Sequence, residues 1–501
     1  MKKILCLLLA ALMLLSLAAC GPTEDGGDTT TKPNTQTEKP EDPNYICDLD
    51  PDLNYGGAEV NILFANVTGR DDELVSDNTG GVVSESVHTR NIMVEDMLGV
   101  KLNMIPEDSD SMVTSKMDKD IQGGLGDYDI IVNGTYLAVQ PAMEGKYLDL
   151  NKLDNIDTTK HYWTQGYNDM VTFTDANMQF LASGPIAISM FRYMFLTIYN
   201  KSLFEDYNIP DLYQTVKNKE WTLDYQYSIS KDHYVEKDGV SNPTEGDFYG
   251  FVTGDTISVD PYMVASNIHM VIKDPVTGDL SYNKSAVTSL SDLCDKVQLL
   301  YNDQSTYVYR GTSKDDIPYN YVIEHFTDEK ALMATTMFLK MESNFKDLAA
   351  LSYGIAPMPM FSKAQGRYYS YVQDQVSSFG ISSVIDPDRN QDHAEMCAAV
   401  LEAMAYHSYR LVRPAYYETV LSTRFMQDPQ SKEILDMLFD TLEFDFSSTC
   451  SAVFSGCVIR DELRPLLSGT TNIIASSTAS WGNSVRSSLS RYNKKLQDEK
   501  S

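Results

Sequence analysis

The sequence predicts an α/β protein built as two or more lobes. Three observations carry this reading. Between Val60 and Glu144, short apolar runs alternate with helical periodicities in the order β-α-β-α-β, a pattern that gives a parallel sheet with right-handed crossovers. About 450 residues follow a polar N-terminal stretch, too many for one core. The pattern then changes near Gln179, and new strand-like runs recur at Ala331, Tyr353 and Phe379.

The chain opens with basic Met1-Lys2-Lys3 and an apolar run from Ile4 to Ala18. The run is shorter than the roughly 20 residues a permanent span needs, so it reads as an export signal over residues 1–19. It ends Leu17-Ala18-Ala19-Cys20, which resembles a bacterial lipobox. The resemblance implies that Cys20 becomes a lipidated mature N-terminus, placing the rest outside the cytoplasm on a cell membrane. Residues 20–44 are Thr-, Pro-, Gly- and charge-rich and bury too little apolar surface to fold. They form a tether with a mean reach of about 25–30 Å.

Val60 to Phe64 reads as a strand buried on both faces. Val83, Val87, Val94 and Leu98 recur at helical spacing, and Gly99 stops that helix. Val100 to Ile105 is a second strand. Ser109-Asp110 caps a helix to about Gln122, ended by Gly123-Gly124. Tyr128 to Val132 is a third strand and Tyr136 to Glu144 a helix. Beyond Gly184-Pro185, Ile186 to Tyr199 is a long apolar run. Thr222 caps a helix. Ala331 to Leu339 is apolar, Tyr353 to Ala356 is a strand ended by prolines, and Phe379 to Val384 is another. His393 to His407 and Ser431 to Phe439 are helices.

Net charge is −31. Clustered Lys and Arg are needed to hold phosphates, so nucleic acid is excluded as a partner. Of seven cysteines, Cys6 leaves with the signal and Cys20 takes the lipid. Cys294 and Cys397 read as buried thiols. An export compartment permits Cys450 and Cys457 to pair, though nothing demands it. The seven histidines are scattered, and none is paired with Cys or an acid at a recognised metal spacing; no metal and no cofactor are expected.

Several segments together resemble extracellular solute-binding proteins of ABC importers. They are Tyr128-Asp129-Ile130-Ile131 with Gly145-Lys146-Tyr147-Leu148-Asp149-Leu150, Ile198-Tyr199-Asn200-Lys201-Ser202-Leu203-Phe204, Trp221-Thr222-Leu223-Asp224, Tyr353-Gly354-Ile355 with Pro357 and Pro359, and Arg413-Pro414-Ala415-Tyr416-Tyr417-Glu418. The likeness runs in order over residues 58–450. It implies a type II periplasmic-binding-protein-like fold, two α/β lobes joined by a hinge with the ligand cleft between them. It also implies a monomer that hands a small solute, expected to be a carbohydrate, to transmembrane permease subunits. Lobe one is expected over 58–182 plus 362–410, and lobe two over 186–360 plus 411–501. Relatives carry a calcium-like loop where this chain has Asp232-His233-Tyr234-Val235-Glu236-Lys237-Asp238-Gly239. The alternation of oxygen ligands is broken here, so the loop reads as solvated and acidic.

No Gly-x-Ser-x-Gly, His-Glu-x-x-His, Gly-x-x-x-x-Gly-Lys or Cys-x-x-Cys pattern occurs. Ser228-Ile229-Ser230-Lys231 and Ser76-Asp77-Asn78 match fragments of penicillin-recognising enzymes, in the wrong order and without a Lys-Thr-Gly. The chain is therefore expected to bind rather than catalyse. A tethered glycan hydrolase, or the same fold taking a peptide or signalling ligand, is the alternative. The 31 tyrosines against 3 tryptophans supply flat faces with polar tips, which suit sugars. Ligands of such sheets bind beyond the strands' carboxyl ends. That rule nominates Thr68, Arg70, Asn133, Thr135 and Tyr136 from lobe one. Tyr262 and Trp481 are nominated from lobe two, and Tyr371, Gln373 and Asp374 from the returning segment.

Overall fold

A computed structural model of the chain describes residues 47 and 49–500, apart from 77–79, 174–177, 311–317, 386–389, 422–428, 451–452 and 455–458. The export signal, Cys20, the tether and Cys457 lie outside the described residues; Cys450 is buried and has no disulfide partner among the described residues.

The first lobe begins β1 (Ala58–Ala65), α1 (Val82–Leu98), β2 (Val100–Glu107), α2 (Asp110–Gly123), β3 (Ile130–Gly134), α3 (Thr135–Met143). β1 lies between β2 and β3 and is parallel to both. Gly99 ends α1 at φ 59°, and a Cβ there would fall 2.5 Å from Asn54 Oδ1, so a side chain is refused twice over. The Ser109 hydroxyl accepts from Met112 N at 3.3 Å and starts α2. β3 begins two residues later than the apolar run suggests. Asp129 is instead held beside β1, its amide donating to Asn61 O at 2.9 Å.

The expected single run from Ile186 to Tyr199 divides into a helical turn, Ser189–Arg192, and strand β4 (Phe195–Asn200), all of whose residues are buried. The second lobe continues with α4 (Leu223–Ser230), β5 (Tyr249–Gly254), α5 (Asp260–Ala265), α6 (Ala286–Tyr301), β6 (Thr306–Tyr309), β7 (Ala331–Met337) and β8 (Tyr353–Ala356). Its sheet order is β6-β5-β7-β4-β8, with β4 antiparallel to both neighbours. Trp221, fully buried before α4, donates its indole N–H to Pro357 O at 2.7 Å and ties that helix to the end of β8.

The chain then returns. β9 (Ser377–Ile381) pairs antiparallel with β3 and completes the first sheet as β9-β3-β1-β2. Helix α7 (Gln391–His407) follows, then α8 (Ile459–Leu467) and α9 (Ile474–Lys500). Alternation along β1 divides the first lobe's core. Val60, Ile62 and Phe64 pack with Ala398, Leu401 and Ala405 of α7. Leu63 and Ala65 face the opposite way, into a core continuous with the crossover and the second lobe. Within α7, buried Glu402 accepts from Trp163 Nε1 at 3.0 Å and from the Tyr162 hydroxyl, and burial pushes its carboxyl up to about 7.

In the acidic loop, the buried Asp247 carboxylate accepts from Lys237 N, Thr244 N and the Tyr234 hydroxyl at 2.8–2.9 Å. Its oxygens serve the loop's own backbone.

Candidate functional site

The carboxyl ends of β1 and β3 meet at one carboxylate. Asp110, in the first turn of α2, pairs through Oδ1 with Arg70 Nη2 at 2.6 Å. The same oxygen accepts Gly134 N at 2.8 Å, and Oδ2 accepts the Tyr136 hydroxyl at 3.2 Å. Arg70 is only 2 % exposed, and its Nε has no partner among the described residues. Burial opposes the guanidinium charge and Asp110 more than restores it. Burial, reinforced by Asp110, pushes the Tyr136 hydroxyl up to about 12, so Tyr136 stays a neutral donor.

Gly69, just before Arg70, has φ +89°, and a Cβ there would lie 2.7 Å from the Tyr193 hydroxyl. That hydroxyl donates to Thr68 O at 2.7 Å, so the first lobe's loop rests directly on the crossover.

The returning segment runs between the lobes. Gln373 N donates to Tyr193 O, and Tyr136 N donates to Asp374 O, each at 3.0 Å. The Asp374 carboxylate, 2 % exposed, pairs with Arg460 of α8. One turn on, Arg464 grips Asp260 with two bonds, Nε to Oδ1 at 2.8 Å and Nη2 to Oδ2 at 2.6 Å. Asp461 accepts from both arginines, at 3.0 and 3.1 Å. The main-chain bond from Tyr136 to Asp374 thus sets the Arg460–Asp374 pair next to the Arg70–Asp110–Tyr136 group. Tyr371 lies beside this set, stacked on Phe195, with its buried hydroxyl unpartnered among the described residues.

Arg192 links the lobes at the crossover. It pairs with Asp72, Nη2 to Oδ2 at 2.9 Å, and with Glu342, Nε to Oε2 at 3.0 Å. A cavity of about 380 Å³ opens on the crossover flank beside Trp163, Phe191, Arg367 and Tyr409. The indole N–H of Trp163 is already engaged by Glu402.

The ten nominated residues thus fall into groups. Arg70, Tyr136, Asp374 and Tyr371 converge on the charged set, and Thr68 and Gln373 flank it through main-chain bonds. Asn133 and Thr135 are turned inward. Asn133 Nδ2 donates to Asp110 O at 3.1 Å, and Thr135 Oγ1 lies between Val376 O and Ser378 Oγ, holding β3 to β9. Tyr262 is wholly buried in α5, edge-on to Tyr301. Trp481 lies on α9, edge-on to Tyr282, and is 8 % exposed. Its polar neighbours form the outer face of a helix, not a ligand loop. Sequence reading missed Asp110, taken only for a helix start, and Asp260, Arg460 and Arg464. The available signal was Arg460 and Arg464 at i,i+4 with Asp461 between them.

No protein-family model and no functionally curated protein matches this sequence. Solved structures do match its fold. The galacto-N-biose/lacto-N-biose I-binding protein of the Bifidobacterium longum ABC transporter superposes with a TM-score of 0.54 at 13 % identity, over 87 % of this chain and 98 % of that one. A Rhizobium etli sugar transporter protein in an open conformation gives 0.51 at 13 %, over 87 % and 99 %. A Listeria monocytogenes ABC substrate-binding protein in complex with cycloalternan gives 0.50 at 13 %, over 88 % and 99 %. The described chain therefore has the two-lobed α/β fold of type II periplasmic binding proteins.

Proposed function

We propose that this chain is the solute-capturing component of an ABC importer, held by lipidated Cys20 on the outer face of a cell membrane, and that its solute is a mono- or oligosaccharide. The observation that carries the reading is the Arg70–Asp110–Tyr136 group at the strand ends, joined through Tyr136 N to the Asp374–Arg460 pair, in a fold with solved examples that bind sugars. Arg and Asp side chains hydrogen-bond hydroxyl edges, and a tyrosine face covers C–H surface. A sugar entering between Tyr136 and Arg460 would exchange part of the existing ion pairing for its own hydroxyls. Closure of the lobes about the crossover would then be favoured by the ligand, and permease subunits would read that state. Lobe one over 58–182 plus 362–410, and lobe two over 186–360 plus 411–501, is the division proposed; the joining of β9 to β3 supports it.

The experiment is a thermal-shift panel of sugars, peptides and amino acids, followed by calorimetry. A saturable shift with a carbohydrate, without product on prolonged incubation, is expected. Product formation would favour the hydrolase alternative, and a shift with peptides alone would move the ligand class.

A further inference from the structure

At the end of the first sheet opposite the cleft, three metal-binding side chains meet. Asp129 stands immediately before β3, and His393 and Cys397 lie one turn apart on α7. His393 Nε2 lies 2.7 Å from Asp129 Oδ1. One donor atom from each of the three lies within 4.8 Å of the others. Asp129 and Cys397 are buried, while the His393 side chain is 31 % exposed and leaves a solvent-side approach. The second Asp129 oxygen accepts Asn61 N at 2.7 Å, which fixes the carboxylate plane from β1. Such a bond is the outer support that orients metal ligands.

We propose that Asp129, His393 and Cys397 form a binding site for a zinc-like divalent transition-metal ion, with water in the fourth position. Imidazole, carboxylate and thiolate are the donor types zinc takes. Bonds of about 2.0–2.3 Å place tetrahedral donors roughly 3.5 Å apart, so modest movement within the present cluster suffices. The ion replaces protons: one leaves the Cys397 thiol, and another leaves the His393–Asp129 pair when that imidazole is protonated. With an anionic thiolate and carboxylate and a neutral imidazole, the divalent charge is balanced. The ion would staple α7 to the start of β3, joining His393 to Asp129, 264 residues earlier in the chain. This departs from the sequence expectation of no metal, which overlooked that His393 and Cys397 are four residues apart on one helix.

The test is a cobalt(II) titration of the full chain, followed by zinc. Equimolar binding is expected, with a thiolate-to-cobalt charge-transfer band in the near ultraviolet that zinc bleaches. Zinc should raise the melting temperature and a chelator should reverse it. Cys397→Ser and His393→Gln, each checked by circular dichroism, should lose the band. X-ray absorption of the zinc-loaded parent should show one sulfur among nitrogen and oxygen ligands, and needs no variant. A folded parent without a thiolate band, or a band that survives in Cys397→Ser, overturns the proposal.

Discussion

Asp110 and Arg70 are joined at 2.6 Å, and the oxygen that makes this pair also holds the amide of Gly134. One carboxylate therefore fixes the loop after β1 and the end of β3 together. Asp110→Ala leaves a buried guanidinium without its counter-charge, and removing one partner of a buried pair costs about 3–5 kcal/mol. Urea denaturation should show that loss. Adding Arg70→Met should recover part of it, because the stranded charge is then gone.

Losing a stacking face or a fixed hydrogen-bonding group in the closed cleft weakens binding by roughly 1–3 kcal/mol, about ten- to a hundredfold. Calorimetry with the carbohydrate found by the panel should show this for Tyr136→Ala and Asp374→Ala, each melting cooperatively. Trp481→Phe should bind like the parent, since Trp481 packs on Tyr282. If both cleft variants bind like the parent, the site lies elsewhere.

Glu402 makes stability depend on pH. Its folded carboxyl is pushed up to about 7 by burial, against an ordinary value of 4.5. Between those values the folded chain binds a proton that the unfolded chain has released. Its contribution is therefore fully present below about pH 4.5 and is lost as pH rises to about 7, a change of about 3 kcal/mol. Glu402→Gln should be close to the parent at pH 4.5 and more stable than it at pH 8 in urea melts. Parallel pH dependence in the two proteins would contradict the assignment.

Cys20→Ala should move the protein from the membrane fraction to the soluble one with its melting temperature unchanged, because residues 20–44 are almost free of apolar side chains. A variant that stays with the membrane after a high-salt wash would sink the lipid-anchor reading.

The first lobe was legible because its elements obey local rules: apolar alternation in β1, helical spacing in α1, Gly99 and Ser109 as stop and cap. The charged set around Asp110 was legible only where the strand-end rule applies, at Arg70 and Tyr136. Asp110 looked like part of a helix start, and its tasks at Arg70 and Gly134 depend on contacts 40 and 24 residues away. Arg460 meets Asp374 across 86 residues and leaves no local trace. Trp481 misled because serines, threonines and alanines dilute the apolar stripe of α9. Ile474, Val485 and Leu489 carry that stripe, and the tryptophan belongs to it.

The antiparallel joining of β9 to β3 also dictates an order of events as the chain is made. The chain emerges N-terminus first, so Ile130–Gly134 is delivered long before Ser377–Ile381. Until then one margin of the nascent sheet offers unsatisfied amides and carbonyls, a template for pairing with neighbouring molecules. Residues 186–360, with the whole β4–β8 sheet, are produced in that interval. Folding is thus a race between late strand insertion and intermolecular association, and a higher concentration of nascent chains should tilt it toward aggregates.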